Sequence, residues 1–167
     1  MFIEMKVAGI TLDPMTKMPI VILKDSSGEN ALPIWIGIAE ASAIATQLEK
    51  IDLARPMTHD LLRNVLNELD VNLEKVEVTD LKDNTYFAIL HLKVGDETLP
   101  VDSRPSDAIA LALRTESPIF VHEEVLNKSR HIDASKAEEG MATPEDRDKW
   151  TEILENLSPE SFGKYKM

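Results

Sequence analysis

The chain of 167 residues contains no cysteine, which excludes disulfides, cysteine-ligated zinc, iron–sulfur clusters and cysteine nucleophiles, since each depends on sulfur as thiolate or bridge. Glycine is scarce, at six residues, and none forms the loop that cradles phosphates. Without His-Glu-x-x-His, histidines paired at i and i+4, or a glycine-rich turn, Rossmann turns, nucleophile elbows and zincin sites are absent too. Aromatic residues make up 5%, too few for a platform of stacked bases. Trp35, flanked by Ile34 and Ile36, reads as core or interface packing. No apolar run approaches the ~18 residues of a membrane helix. The opening MFIEMKVAGITL has Glu4 inside its apolar stretch and lacks the basic region and long apolar block of a secretory leader. A cytoplasmic protein with no membrane partner is expected.

A basic excess is also missing. Lys and Arg number 18 against 30 Asp and Glu, a formal net charge of -12. Proteins that wrap nucleic acid gain affinity by placing cations against phosphates and usually carry a basic face. Here residues 1–130 hold 13 basic and 21 acidic side chains, and residues 131–167 hold 5 and 9. The deficit is therefore not confined to a tail, and any polyanion site must be local.

What is present reads as an α+β domain, mostly antiparallel strand meanders packed with about three helices, plus a C-terminal helical appendage. Residues 2–12, 19–23 and 31–36 are three β-rich runs joined by turns at Asp13-Pro14 and Asp25-Ser26-Ser27-Gly28. Ala41, Ile44, Ala45, Leu48 and Ile51 recur at helical spacing. A second helix is expected after Arg55-Pro56, with Thr58 as N-cap, Asp60 in the first turn, and Leu62, Val65, Leu66 and Leu69 as its buried stripe. Strands return over 71–81, 85–94 and 97–101. Residues 102–107 read as a loop entering a third helix, with Ser103 or Arg104 as cap and Pro105 at the first helical position. Residues 118–121 make a last strand and 123–126 a final helical turn. The compact domain is taken as 1–130. In the appendage, 131–167, Trp150, Ile153, Leu154 and Leu157 fall at helical spacing and suit docking on this domain or on another subunit, while its acidic, polar composition equally fits a flexible tail.

Four of the six arginines, Arg55, Arg63, Arg104 and Arg114, lie around the second and third helices. Their planar forks suit phosphate, and helix N-termini nearby favour an anion. The alternative is that they pair with Asp60, Asp102 and Asp107 to fix the loops. Asp102 and Asp107, five positions apart, could hold a divalent cation or serve as base and orienter, although Asp107 also suits simple capping. His59, beside Arg55, Thr58 and Asp60, is the histidine placed for acid–base work near neutral pH. His91 falls within a strand run and suits a sheet face, while His122 and His131 have no helpful neighbours.

Leu32-Pro33-Ile34-Trp35-Ile36-Gly37 with Glu40-Ala41, Arg55-Pro56-Met57-Thr58-His59-Asp60-Leu61, Leu99-Pro100-Val101-Asp102-Ser103-Arg104-Pro105-Ser106-Asp107-Ala108 and Pro118-Ile119-Phe120-Val121, in that order, closely resemble the bifunctional nuclease domain family. The Asp-Ser-Arg-Pro-Ser-Asp-Ala string is highly specific, and the resemblance runs over about residues 1–130. It implies a compact α+β domain, in bacteria usually a stand-alone protein, and hydrolysis of RNA and/or DNA phosphodiesters at a local site. Carried over by motif, His59, Asp102, Asp107 and Glu40 are the expected catalytic residues, and Arg55, Thr58, Arg104 and Ser106 the expected substrate-binding residues. A divalent cation, Mg or Mn, is the cofactor such chemistry would take, and a homo-oligomer is expected. The competing reading is a non-catalytic module that binds a partner subunit or a small anionic ligand.

Overall fold

A computed structural model describes residues 1–133 of the chain. Its elements in order are β1 (Phe2–Leu12), β2 (Pro19–Asp25), β3 (Ala31–Trp35), α1 (Ile38–Leu48), α2 (Thr58–Glu68), β4 (Val71–Lys82), β5 (Thr85–Val94), β6 (Glu97–Ser103), α3 (Pro105–Thr115), β7 (Ile119–His122) and α4 (Glu123–Asp133). The expected helix around Trp150, Ile153, Leu154 and Leu157 lies outside the described residues.

The seven strands form one sheet in the order β3-β2-β1-β7-β4-β5-β6. Both expected meanders are present: β1, β2 and β3 pair antiparallel, as do β4, β5 and β6. Side-chain chemistry sets their turns. Asp13 accepts hydrogen bonds from the amides of Met15 and Thr16 and from the indole of Trp35, so Trp35 is tied to the first turn. Asp83 and Asn84 both take positive φ, 49° and 59°, as a two-residue hairpin loop requires for its twist to match the strands. The four residues of β7 join the two halves, running antiparallel to β1 and parallel to β4. The Tyr86 hydroxyl adds a bond from β5 to the Pro33 carbonyl of β3.

The core centres on α3. Ala108, Ile109, Ala110, Leu111 and Ala112 are all buried, and a helix apolar on every side belongs inside. Its alanines permit close approach by neighbours, and burying Ile109 or Leu111 contributes about 1.5–3 kcal/mol each. Ala41, Ile44 and Ala45 of α1 join the same core, as their spacing required. Val125 and Leu126 anchor α4, which is a full helix rather than a single turn. It crosses residue 130, where the compact part was expected to end.

Three further expectations change. No residue of α2 is buried. Of the supposed buried stripe only Leu66 packs partly against the core, while Leu62, Val65 and Leu69 are exposed, Leu69 at 66%. Amphipathic spacing fixed a face for α2, but among the described residues only its Leu66 edge meets the core. Thr58 does not cap α2: Met57 holds that position, and its amide donates to the Asp60 carboxylate at 2.9 Å. Finally, Asp102 and Ser103 are the end of β6 rather than a loop, and Arg104 alone occupies the cap position of α3.

Candidate functional site

α1, α2 and α3 begin at the same place. Each has an acid at its third residue: Glu40, Asp60 and Asp107. Acids are favoured in a first turn, where the unsatisfied amides carry partial positive charge. In this chain each of the three also reaches an arginine. Arg104 donates through Nη1 to Glu40 at 2.7 Å and through Nε to Asp107 at 2.8 Å. Arg114 donates through Nε to Asp60 at 2.7 Å and through Nη1 to the Ala110 carbonyl at 2.9 Å. Its side chain is 2% exposed, so Asp60 serves as the counter-charge that makes burial tolerable. The expected pairing of arginines with Asp60 and Asp107 is thus seen, and that with Asp102 is not.

The other oxygen of Asp107 accepts from His59 Nε2 at 2.9 Å. His59 stands at the second position of α2, with a side chain 13% exposed. A hydrogen on Nε2 facing a carboxylate leaves Nδ1 of a neutral imidazole as the acceptor nitrogen. Burial alone would raise the Asp107 pKa, but the hydrogen bonds from Arg104 and His59 outweigh it and hold the carboxyl below its usual value. Asp60 is held low in the same way, burial being outweighed by the Met57 amide and Arg114. Arg104 is pushed up by Asp107 and then by Glu40. At neutral pH both acids are therefore ionised, and Arg104 is a cation.

Glu40, Thr58, His59, Arg104, Asp107 and Arg114 line a cleft of about 280 Å³ together with Ser42, Thr46, Leu53 and Met57. A contiguous hollow of about 250 Å³ is lined by Arg55, Arg63, Asn64, Asp52 and Asp60, and the two share Thr46, Leu53 and Arg114. The structure thus gathers His59, Asp107, Glu40, Arg104 and Thr58, and places Arg55 next door. Asp102 is elsewhere. It pairs with Ile89 in the register whose neighbours, Ser103 and Ala88, occupy the alternate face, and it does not line either hollow. Ser106 is buried in the first turn of α3 and is likewise not a lining residue. His91, expected on a sheet face, bonds Glu77 of β4 at 2.8 Å.

A divalent cation finds no donor set here. Glu40 and Asp107 converge on the Arg104 guanidinium, which already supplies the positive charge between them, and Asp107 also binds His59. No group of three or more His, Asp or Glu side chains able to hold a metal occurs among the described residues. Nor is any described helix long and apolar enough to cross a membrane.

Two features of the site needed the fold to become visible. Arg114 and Asp60 lie 54 positions apart, so only the fold makes them one unit. Gly37 directly follows the third β-rich run, 31–36. It is the cap residue of α1, and a Cβ there would overlap the Glu40 carboxylate. Glycine at this position gives Glu40 room to fold back towards Arg104.

Comparisons with known proteins place the sequence in a family. The sequence model of the bifunctional nuclease domain matches residues 21–134. A Mycobacterium tuberculosis protein described only as uncharacterised is 38% identical over 162 residues, covering 95% of this chain and 97% of that one. Bifunctional nuclease 2 of Arabidopsis thaliana is 30% identical over 122 residues, 70% of this chain and 37% of the plant protein. Bifunctional nuclease 2 of Oryza sativa subsp. japonica is 29% identical over 118 residues, 68% of this chain and 36% of that protein. With its matched motifs brought together where three helices begin, the chain belongs to the bifunctional nuclease domain family.

Proposed function

We propose that the cleft hydrolyses phosphodiester bonds of RNA and/or DNA, with His59 as general base and Arg104 as the cation that meets the phosphate. One observation carries this reading: Asp107 accepts from His59 and Arg104 at once, 2.9 and 2.8 Å away. It thereby orients a base and an anion-binding group into one cleft. A carboxylate that fixes the imidazole tautomer and supports the imidazolium is the recurring device for activating an oxygen nucleophile.

In the proposed step a water oxygen attacks phosphorus while Nδ1 of His59 takes one of its protons. The bond from phosphorus to the leaving oxygen breaks, and the imidazolium returns the proton to that alkoxide. Charge building on the phosphoryl oxygens faces Arg104 and the first-turn amides of α1, α2 and α3. Glu40 holds Arg104 from the side opposite Asp107, and Thr58 lines the approach. The plant relatives are named nucleases, and their shared domain supports the class of reaction. The deciding measurement follows end-labelled single-stranded RNA and DNA with purified protein in EDTA. Cleavage that His59→Ala leaves at the wild-type rate would defeat the assignment.

A second reading has its own support. Leu61, Leu62, Val65 and Leu69 of α2 and Leu99 and Val101 of β6 are exposed large apolar side chains. Exposed side chains of this kind suit an interface, and in this reading the domain is an interaction module that forms a homo-oligomer. Light scattering on wild type and on Val65→Glu distinguishes it: equal monomeric mass for both removes the interface.

A further inference from the structure

We propose that Arg55 and Arg63 form a second phosphate subsite, so that the cleft takes at least two consecutive phosphates of an extended single strand rather than an isolated phosphodiester. This rests on the phosphodiesterase reading of the His59 cleft but is tested apart from it.

Four of the chain's six arginines line the two contiguous hollows, and no lysine does. Their states differ. Arg104 and Arg114 are bound to carboxylates. Arg55 makes no ion pair among the described residues, and Arg63 bonds only the amide oxygen of Asn64, through Nε and Nη2 at 3.2 and 3.0 Å. Both line the hollow beside the His59 cleft. Asp60 in that hollow is matched by Arg114, which leaves exposed Asp52 against two guanidiniums. Arg63 also feels the charge of Asp60, but neither it nor Arg55 is in direct contact with a carboxylate among the described residues, so in a chain of net charge -12 both guanidiniums are open to an external anion, and their planar forks suit phosphate oxygens.

The spacing follows from the helix. His59 and Arg63 are four residues apart on α2, hence on one face and about 6 Å apart along the axis. That displacement is comparable to the step between neighbouring phosphates of an extended strand. With one phosphate at Arg104 and His59, the next falls towards Arg63 and Arg55.

The test uses full-length protein in EDTA and a phosphorothioate oligodeoxythymidine of about a dozen nucleotides, with binding read by fluorescence anisotropy over a salt series. Wild type is expected to bind with a salt slope that falls by about 1.4 in the Arg55→Ala/Arg63→Ala double variant, at about 0.7 per phosphate contact on single strands. Affinity is expected to fall by about tenfold or more, as lost bonds to charged groups imply. The Arg55→Lys/Arg63→Lys variant should regain most of the slope, since charge sets that term. Both side chains are at least partly exposed, and a thermal melt of each variant shows that the fold is intact. An unchanged slope in the double alanine variant overturns the subsite, and so does absence of binding by wild type or equal binding of the matching duplex. A subsite-dependent slope in a protein that cleaves nothing would leave the subsite standing and defeat only the hydrolysis reading. Cleavage with an unaltered slope does the reverse.

Discussion

Asp107 and His59 are 48 positions apart in the chain, yet Oδ1 of one lies 2.9 Å from Nε2 of the other. The contact joins the first turn of α3 to the first turn of α2, and the rest of the cleft is arranged around it. Asp107→Asn keeps the shape but replaces one acceptor oxygen with a donor, which forces the imidazole to turn or present its other tautomer. His59→Ala should lower kcat/KM on single-stranded RNA or DNA by about 10²–10⁴-fold, the usual range for a general base. Asp107→Asn should show a loss in kcat rather than in KM, and steady-state kinetics on one labelled oligonucleotide decides both.

Gly37→Ala is a mild change for the backbone, since φ there is -76°. Its cost falls on Glu40, whose carboxylate occupies the space the new methyl needs. Glu40 is expected to swing away from Arg104, lowering activity about as much as Glu40→Gln does. Melting temperature should move little. A large loss of stability with full activity would show that the close approach of Gly37 serves packing alone.

Arg114 is the buried member of its pair, and removing either partner strands the other. Asp60→Asn should destabilise the domain by about 3 kcal/mol, the low end for a broken buried ion pair because Asp60 keeps some contact with water. Urea unfolding followed by far-UV circular dichroism measures it. Leu62→Ala, at an exposed position on the same helix, should cost far less in a monomer, and the ratio of the two losses tests the placement of α2.

Asp60, Glu77 and Asp107 all have carboxyl pKa values held below their ordinary ones. In each case burial acts upward and hydrogen bonds to partners outweigh it. A depressed folded-state pKa means that the unfolded chain binds protons first on acidification. The stability these groups contribute is therefore complete above about pH 4–5 and is lost as pH falls through the folded-state values. Thermal midpoints should be level between pH 6 and 7 and drop steeply below pH 4, with Asp60→Asn flattening the drop. Midpoints independent of pH down to 3 would contradict this.

EDTA should leave any hydrolysis standing, because Glu40 and Asp107 are committed to Arg104. Full loss of activity on chelation, restored by Mg or Mn, would show that the guanidinium is not the cation the reaction uses.

The local parts of this molecule were legible from sequence because their causes are local. Period-two runs located both meanders, and Arg104-Pro105 marked the start of α3. The face of α2 was misplaced because periodicity reports which side chains share a side, not whether anything lies against it. Asp102 was grouped with Asp107 because five positions across a turn look close. The end of β6 instead extends to Ser103, and strand alternation carries Asp102 to another side. Glu40, His59, Arg104 and Asp107 were singled out by motif, and Arg114 by its place near α3, but the bridge Arg104 makes between the two acids and the pairing of Arg114 with Asp60 emerge only when α1, α2 and α3 are packed. Their shared plan, an acid at the third residue of each helix, is visible in the sequence once the helix starts are known.

The four-residue strand that stitches the two halves of the sheet has a temporal consequence. β7 enters between β1 and β4, with Phe2 opposite His122, so β1 pairs early with β2, but a ribosome must deliver nearly the whole domain before β1 meets its second neighbour. Contacts so distant along the chain slow folding. The helices that assemble the cleft are meanwhile already synthesised, but lack the finished sheet behind them. The arginine-lined cleft should consequently take shape late and all at once during biosynthesis, when the last strand closes the sheet behind its three helices.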